Sequence, residues 1–445
     1  MAGCSVAPST PLSAVEWPTA ARFSAQPEPA AAEPMNFGWR QYFADPVLQR
    51  LLEQALVGNR DLRVAQLGIA QAAAQLGLRE AERMPAVGVG VAGSSAQQPN
   101  GSQLRIVNSG AQFSAWELDF FGRLANLSDA ARAQLLASQE ASRAARLALV
   151  AAVASAWLNL IADEELLALT EQTLATREES LRLTRLRFDN GAASELDFRQ
   201  AQSLAEGAKV VRAQQQRQRA LNRNALALLL GAPGAELPDF SARRLGDVKL
   251  SELPAGLPSR VLAARPDIRQ AEQTLLAANA NIEAARAAFF PRVTLTGAFG
   301  SVSRDLSGLF AGGSWGFTVA PALLQPIFDG GRNRSLLESA RVARELALTQ
   351  YERAIQTGFR EIADALASRG TLLEQLSAQA AVAEAERVRL DLAQLRYQNG
   401  IASYLDLLDA QRSLFTANQA VIQTRLQLLQ NQVLLFRSLG GGDLS

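Results

Sequence analysis

Along the chain, stretches whose apolar residues recur every three to four positions alternate with shorter stretches of strict alternation, and the order of the two periods predicts the elements. Residues 123–190 contain neither glycine nor proline and are dense in Ala, Leu, Arg, Gln and Glu, the residues that favour helix most. One uninterrupted helix of roughly 100 Å is predicted at 1.5 Å per residue. A counterpart over 332–399 carries Gly358 and Gly370, which cost about 1 kcal/mol each relative to alanine and allow a bend without breaking the helix. Both stretches stop at Asn-Gly, Asn190-Gly191 and Asn399-Gly400, where glycine closes a helix in the left-handed conformation. Ser194 and Ser403 then cap return helices, with Asp197 and Asp406 three residues on completing a capping-box pattern. The return helices end near Gly231 and Gly440, so two antiparallel hairpins of unequal arms result. Shorter helices over about 45–84 and 259–289 are expected to stack end-on and supply the missing length. Alanine crowds the long helices, as at Ala148, Ala151, Ala152, Ala154 and Ala156 and at Ala378, Ala380, Ala381, Ala383 and Ala385. Such small residues put interaxial spacing near the low end of 8–10 Å.

The alternating stretches read as strands. Val87, Val89 and Val91 alternate with Gly88 and Gly90. Trp116, Leu118 and Phe120 fall on one face, Glu117 and Asp119 on the other. In the second half, Val293, Leu295 and Phe299 oppose Arg292, Thr294 and Thr296, while Trp315, Phe317 and Val319 oppose Ser314, Gly316 and Thr318. Apolar outside and polar inside is what a water-filled barrel in lipid requires. Aromatic residues gather at the strand ends (Phe113, Trp116, Phe120, Phe121, Phe289, Phe290, Phe310, Trp315, Phe328) as in an interfacial girdle. For any one strand, a soluble sandwich with one wet face explains the alternation equally well.

The chain also repeats itself. Residues 186–202, LRFDNGAASELDFRQAQ, match 395–411, LRYQNGIASYLDLLDAQ, at ten of seventeen positions and an offset of 209. Gly122-Arg123 corresponds to Gly331-Arg332 at the same offset, whereas Asp61 corresponds to Asp267 and Pro85 to Pro291 at 206. Each half therefore runs helix, two strands, very long helix, tight turn, long helix. Four strands cannot close a barrel, and open edges are not tolerated in hydrocarbon. Copies of the chain must share one barrel: two would give eight strands and three twelve, of which only the larger leaves an appreciable lumen. Three copies would also bring twelve helices into a ring about 40 Å across at about 10 Å spacing.

Composition narrows the chemistry. Lys and Arg (44) nearly cancel Asp and Glu (43), which leaves no basic surface for a nucleic-acid backbone. Histidine is absent, with one cysteine and three methionines, which removes the usual ligands of zinc, copper and iron and the usual general base. No enzyme activity, metal or cofactor is expected. No run of 18 or more apolar residues occurs, so crossing of a bilayer is expected through strands rather than a helix. The lone Cys4, in Met1-Ala2-Gly3-Cys4-Ser5, resembles the end of a bacterial lipobox without the signal regions that normally precede it. Beside a Pro/Ala-rich stretch over 5–34 it reads as a lipid-anchored tether.

Several segments carry a family resemblance: Trp39-x-x-x-Phe43-x-Asp45-Pro46, Leu253-Pro254-Ala255-Gly256-Leu257-Pro258-Ser259-Arg260, Arg265-Pro266-Asp267-Ile268, and Tyr404-Leu405-Asp406-Leu407-Leu408-Asp409-Ala410-Gln411-Arg412. With them the chain resembles the outer membrane factor family, the TolC-like channels, and more closely its lipoprotein branch typified by OprM and NodT. The resemblance implies a mainly α fold with a membrane β-barrel: a homotrimer with four strands per protomer in a shared twelve-stranded barrel, a long periplasmic α-barrel of helical hairpins, and a small equatorial region. The corresponding division is 1–43 (tether and equatorial segment), 44–84, 122–231, 259–290 and 330–440 (α-barrel, two repeats over about 44–231 and 259–440), 85–121 and 291–329 (strands), and 232–258 (equatorial linker). It further implies docking of the hairpin tips (Asn190, Gly191, Ser194, Asn399, Gly400, Ser403) to a periplasmic adaptor, an inner-membrane pump of the resistance-nodulation-division type, outer-membrane lipid around the girdle (Trp116, Phe120, Phe121, Trp315, Phe317), and no nucleic-acid partner.

By the same resemblance, Leu405 and Asp409 form the rings that close the periplasmic aperture, with Arg412 and Tyr397 as latch partners and Asp406 and Asp197 capping first and gating second. Residues 405, 409 and 412 share one helix face. From periodicity alone, Asp409 could equally pair with Arg412 along its own helix, a contact worth tenths of a kcal/mol. Gln200 stands in the first hairpin where Asp409 stands in the second, so one carboxylate per chain is expected at that level. The function implied is passive conduction of drugs or other small molecules from pump to exterior; the alternatives are a duct for type I protein secretion and a coiled-coil tether without a pore.

Overall fold

The computed structural model describes residues 38–99, 101–234, 236–251, 260–309 and 311–441. Cys4, most of the 253–260 motif and Phe310 lie outside these residues. In chain order the elements are α1 (Trp39–Tyr42), α2 (Pro46–Gly58), α3 (Arg60–Ala81), β1 (Val87–Gln97), β2 (Gln103–Leu118), α4 (Arg123–Asp189), α5 (Glu195–Leu229), α6 (Arg260–Ala263), α7 (Pro266–Ala287), β3 (Arg292–Ser303), β4 (Trp315–Leu324), α8 (Arg332–Gln398) and α9 (Tyr404–Ser438). Helices α4 and α8 each span 67 residues without a break, and α5 and α9 each span 35. The chain divides into two units: the described residues within 65–142 and 267–355 make up the first, and those within 38–64, 143–266 and 356–441 the second.

The first unit holds an antiparallel sheet in the order β1-β2-β3-β4. Cross-strand partners share a face, so Val89, Ala111, Phe299 and Phe317 make one apolar row across all four strands. Phe317 is 80% exposed in that row. The expected alternation fails at the end of β2. A bulge interrupts the register between Phe113 and Trp116, with Ala115 at φ 51°, and the strand stops at Leu118. Phe120 and Asp119 are therefore not strand residues. The Ala125 amide donates to Asp119 Oδ2 at 2.7 Å, which makes Asp119 a cap for the start of α4. Phe121 stacks on Phe290 at 4.9 Å. Trp116 donates its indole N–H to the Arg83 carbonyl at 3.0 Å.

In the second unit the aromatic motif at the start of the described chain forms a core. Trp39, Tyr42 and Phe43 are buried; Tyr42 stacks on Phe436 at 4.5 Å and Phe43 meets the same ring edge-on at 5.3 Å. Asp45 caps α2 through the Val47 and Leu48 amides and pairs with Arg243. The expectation of single helices over 45–84 and 259–289 is corrected: the first breaks at Asn59 and the second at 264–265. Each break receives the end of a return helix. Asn59 Nδ2 donates to the Leu229 carbonyl at 3.0 Å while its Oδ1 accepts from the Leu62 amide at 2.9 Å. At the equivalent place Arg265 donates to the Ser438 carbonyl at 2.9 Å and pairs with Glu361 at 2.8 Å. Orphan carbonyls at the ends of α5 and α9 are thereby satisfied. Glycine at 358 leaves room for this guanidinium, since a Cβ there would lie 3.3 Å from it.

Buried acids sit on α4. Asn222 donates to Asp163 at 2.6 Å, and Arg219 pairs with the adjacent Glu164 at 3.1 Å. Burial first, reinforced by Glu164, pushes the Asp163 carboxyl up from 3.8 to about 6 against the pull of its Asn222 hydrogen bond. One further expectation needs adjustment. α4 contains an 18-residue window apolar enough to cross a membrane by composition, but 56% of it is buried against the rest of the chain.

Candidate aperture at the hairpin tips

Both tips are built by the same local chemistry. Gly191 and Gly400 take φ +73° and +74°, a conformation that glycine adopts without a Cβ penalty. The Ala192 amide donates to the Arg187 carbonyl and the Gly191 amide to that of Phe188; the Ile401 and Gly400 amides donate equivalently to Arg396 and Tyr397. This is the Schellman closure of a helix C-terminus. Asn190 and Asn399 each donate a side-chain amide back to the carbonyl four residues earlier at 2.7 Å. Ser194 with Asp197 and Ser403 with Asp406 form complete capping boxes. Hydrogen bonds from the Ser403 side chain and backbone hold the Asp406 carboxyl below its ordinary value.

Behind the turns, Ala201, Tyr404, Leu407 and Leu408 form a buried cluster packed by Leu181, Leu204, Leu390 and Tyr397. All four long helices contribute to it. Arg187 donates to the Tyr397 hydroxyl at 2.7 Å and lies over its ring at 5.5 Å. Tyr404 meets Tyr397 at 5.4 Å and shares a hydrogen bond with Ser180 at 3.3 Å. The two hairpins are thus linked through a tyrosine pair on the second and polar groups of α4 on the first.

The predicted gate residues separate into three environments. Leu405 is exposed at 55%, and so is its first-repeat counterpart Leu196 at 66%. Asp409 pairs with Arg389 of α8 at 2.5 Å, and the same guanidinium also holds Glu386 at 3.1 Å. Arg412 does not touch Asp409; among the described residues it has no carboxylate partner and lies near Arg177 instead. Tyr397 likewise engages Arg187 rather than the aperture carboxylate. Arg389, Arg187 and Ser180 were not found from the sequence. A faint signal existed for Arg389, three residues after Glu386 and on the helix antiparallel to that of Asp409. The arrangement offers hydrogen-bonded links that can open and reclose, and among the described residues no grouping of acids suited to a metal ion.

Comparisons with known proteins converge on one family. The profile of the outer membrane efflux protein family matches residues 51–232 and 257–441. The toluene efflux pump outer membrane protein TtgC of Pseudomonas putida is 44% identical, covering 99% of this chain and 93% of the relative. Outer membrane protein OprJ of Pseudomonas aeruginosa is 42% identical, covering 99% and 94%. Among solved structures, the open state of the Neisseria gonorrhoeae MtrE outer membrane channel superposes with a TM-score of 0.85 at 37% identity, covering 97% of this chain and 96% of that one.

Proposed function

The chain belongs to the outer membrane efflux protein family and is an outer-membrane channel component of an efflux system, and from that premise we propose that it conducts drugs or other small molecules passively through an aperture closed by Leu405 and Asp409. The observation that carries this reading is the Asp409–Arg389 pair at the tip. Copies of Asp409 brought near a common axis would repel one another, and a guanidinium on each offsets that cost in the closed state. Arg187 with Tyr397, and Ser180 with Tyr404, supply breakable links for an iris-like movement of one hairpin against the other.

A homotrimer is supported by two kinds of unpartnered surface. β1 and β4 are the outer strands of the sheet, and their free edges demand partners in lipid. Exposed heptad seams run along α5 (Ser203, Gly207, Val210, Gln214, Arg217, Leu221) and α8 (Ala378, Ala381, Ala385, Val388, Leu392, Leu395), the spacing that docks a helix of another copy. Trp315 and Phe317 at one end of the strands, and Trp116, Phe120 and Phe121 at the other, suit interfacial lipid. The exposed turns at 190–194 and 399–403 suit a periplasmic adaptor, and behind it an inner-membrane pump of the proton-driven resistance-nodulation-division type. A lipid on Cys4 would anchor the N-terminus, and no cofactor or catalytic step is invoked.

Single-channel recording in planar bilayers tests the aperture. Leu405→Ala combined with Asp409→Ala should raise conductance over the parent protein; equal conductance removes the gate from these residues.

A further inference from the structure

Among the described residues, the tip core contains a cation without a counterion. Arg177 of α4 is only 6% exposed. Its Nη1 donates to the Leu204 carbonyl of α5 at 3.3 Å, its guanidinium lies 5.2 Å from the centre of the Phe415 ring of α9, and its buried Nε has no acceptor. The charge facing it is another cation. Arg412 stands one turn before Phe415 on the same side of α9, and burial first, then Arg412, lowers the Arg177 pKa. Arginine nevertheless stays protonated in proteins, and a buried charge left uncompensated is costly.

No acid of the neighbourhood is free to compensate it. Glu178 is held by Lys209, Glu179 by Arg182, and both Glu386 and Asp409 by Arg389. The 209-residue offset sharpens the point, because Glu386 occupies in the second repeat the position of Arg177 in the first. The second repeat has an arginine between two carboxylates at this level; Arg177 of the first has no carboxylate beside it and faces Arg412 of the second.

We propose that Arg177 and Arg412 bind a small inorganic anion of the chloride class between α4 and α9. Burial of Arg177 excludes a bulky ligand, and a weakly hydrated guanidinium with an unused N–H suits a halide. The bound anion ties α4 of the first hairpin to α9 of the second, three residues beyond Asp409. Without it two like charges face each other at the joint between hairpins.

Bromide is the probe. Crystals of the full chain grown in sodium bromide should show an anomalous peak between the Arg177 and Arg412 guanidinium groups, absent in Arg177→Met, and the heat stability of the detergent-solubilised protein should be higher in sodium chloride than in sodium gluconate at equal ionic strength. Arg412→Gln, at an exposed position, keeps the test open should Arg177→Met not fold, and should weaken bromide binding at least tenfold. Bromide spread over exposed arginines with none at Arg177, water or a carboxylate in its place, or equal chloride dependence in Arg412→Gln overturns the proposal. The anomalous peak does not depend on pore activity, so its absence leaves the channel reading intact.

Discussion

The two helical hairpins have one backbone and two charge plans. Both close on Asn-Gly, restart on a Ser-x-x-Asp box and keep equal helix lengths. At the level of the aperture, however, the first carries Arg177, Ser180 and Gln200 where the second carries Glu386, Arg389 and Asp409. Duplication preserved what the backbone needs, because caps and turns are satisfied locally and in the same way in each copy. Side chains facing other helices were free to diverge, and only the second copy puts a carboxylate at the position of Asp409, where the first has Gln200.

The strongest test of this division lies at the far ends of the return helices. Arg265→Ala should destabilise the protein by about 1.5–3 kcal/mol, the cost of the charge-assisted hydrogen bonds it makes to the Ser438 carbonyl and to Glu361, which keeps Arg437 at 3.6 Å, whereas Asn59→Ala should cost about 1 kcal/mol as a lost cap; chemical denaturation reads both, and equal losses would make the two junctions energetically alike. Next comes Asp163, whose counterpart in the second repeat is the untitratable Leu372. Its folded pKa of about 6 lies above the ordinary 3.8, so the folded state holds the proton more tightly. The associated stability is complete below pH 3.8 and is lost as pH rises through about 6. Asp163→Asn should flatten that part of the melting-temperature profile.

Cap substitutions probe the shared plan. Ser194→Ala and Ser403→Ala should each cost about 1 kcal/mol, and a conductance change confined to Ser403→Ala would show that the second cap also serves the aperture. The smallest effect belongs to charge transplantation. Gln200→Asp with Ser180→Arg rebuilds in the first hairpin the pair found in the second, an exposed bridge worth about 0.2–1 kcal/mol. Because Ser180→Arg also removes the Ser180–Tyr404 hydrogen bond, the double variant should conduct like Tyr404→Phe, which loses the same link, while Gln200→Asp alone should conduct slightly more than the parent.

Much of this was legible in the sequence because it is local. Asn-Gly stops, serine caps, two-residue alternation and the internal repeat together marked out the long helices, the tips and the apolar rows of the sheet. What escaped was tertiary. Periodicity offered Asp409 only its own-helix neighbour Arg412, while the actual partner, Arg389, sits twenty residues earlier on another helix. The bulge at Ala115 breaks an alternation that looks continuous to Phe120. The break at Asn59 was within reach: Arg265-Pro266 marks a stop in the second repeat, and the 206-residue offset projects it onto Asn59-Arg60.

The matched helix lengths restrict how this architecture can change size. One residue inserted into α4 would advance the tip by about 1.5 Å and rotate it by about 100°, turning the tyrosine-facing side away from its partner. A taller version needs whole heptads, added to all four long helices together. The turn joining β3 to β4 is under no such rule: the offset grows from 206 to 209 between Pro85 and Gly122, within the strand-bearing segment. Loop length there can drift by single residues, while hairpin height is inherited in steps.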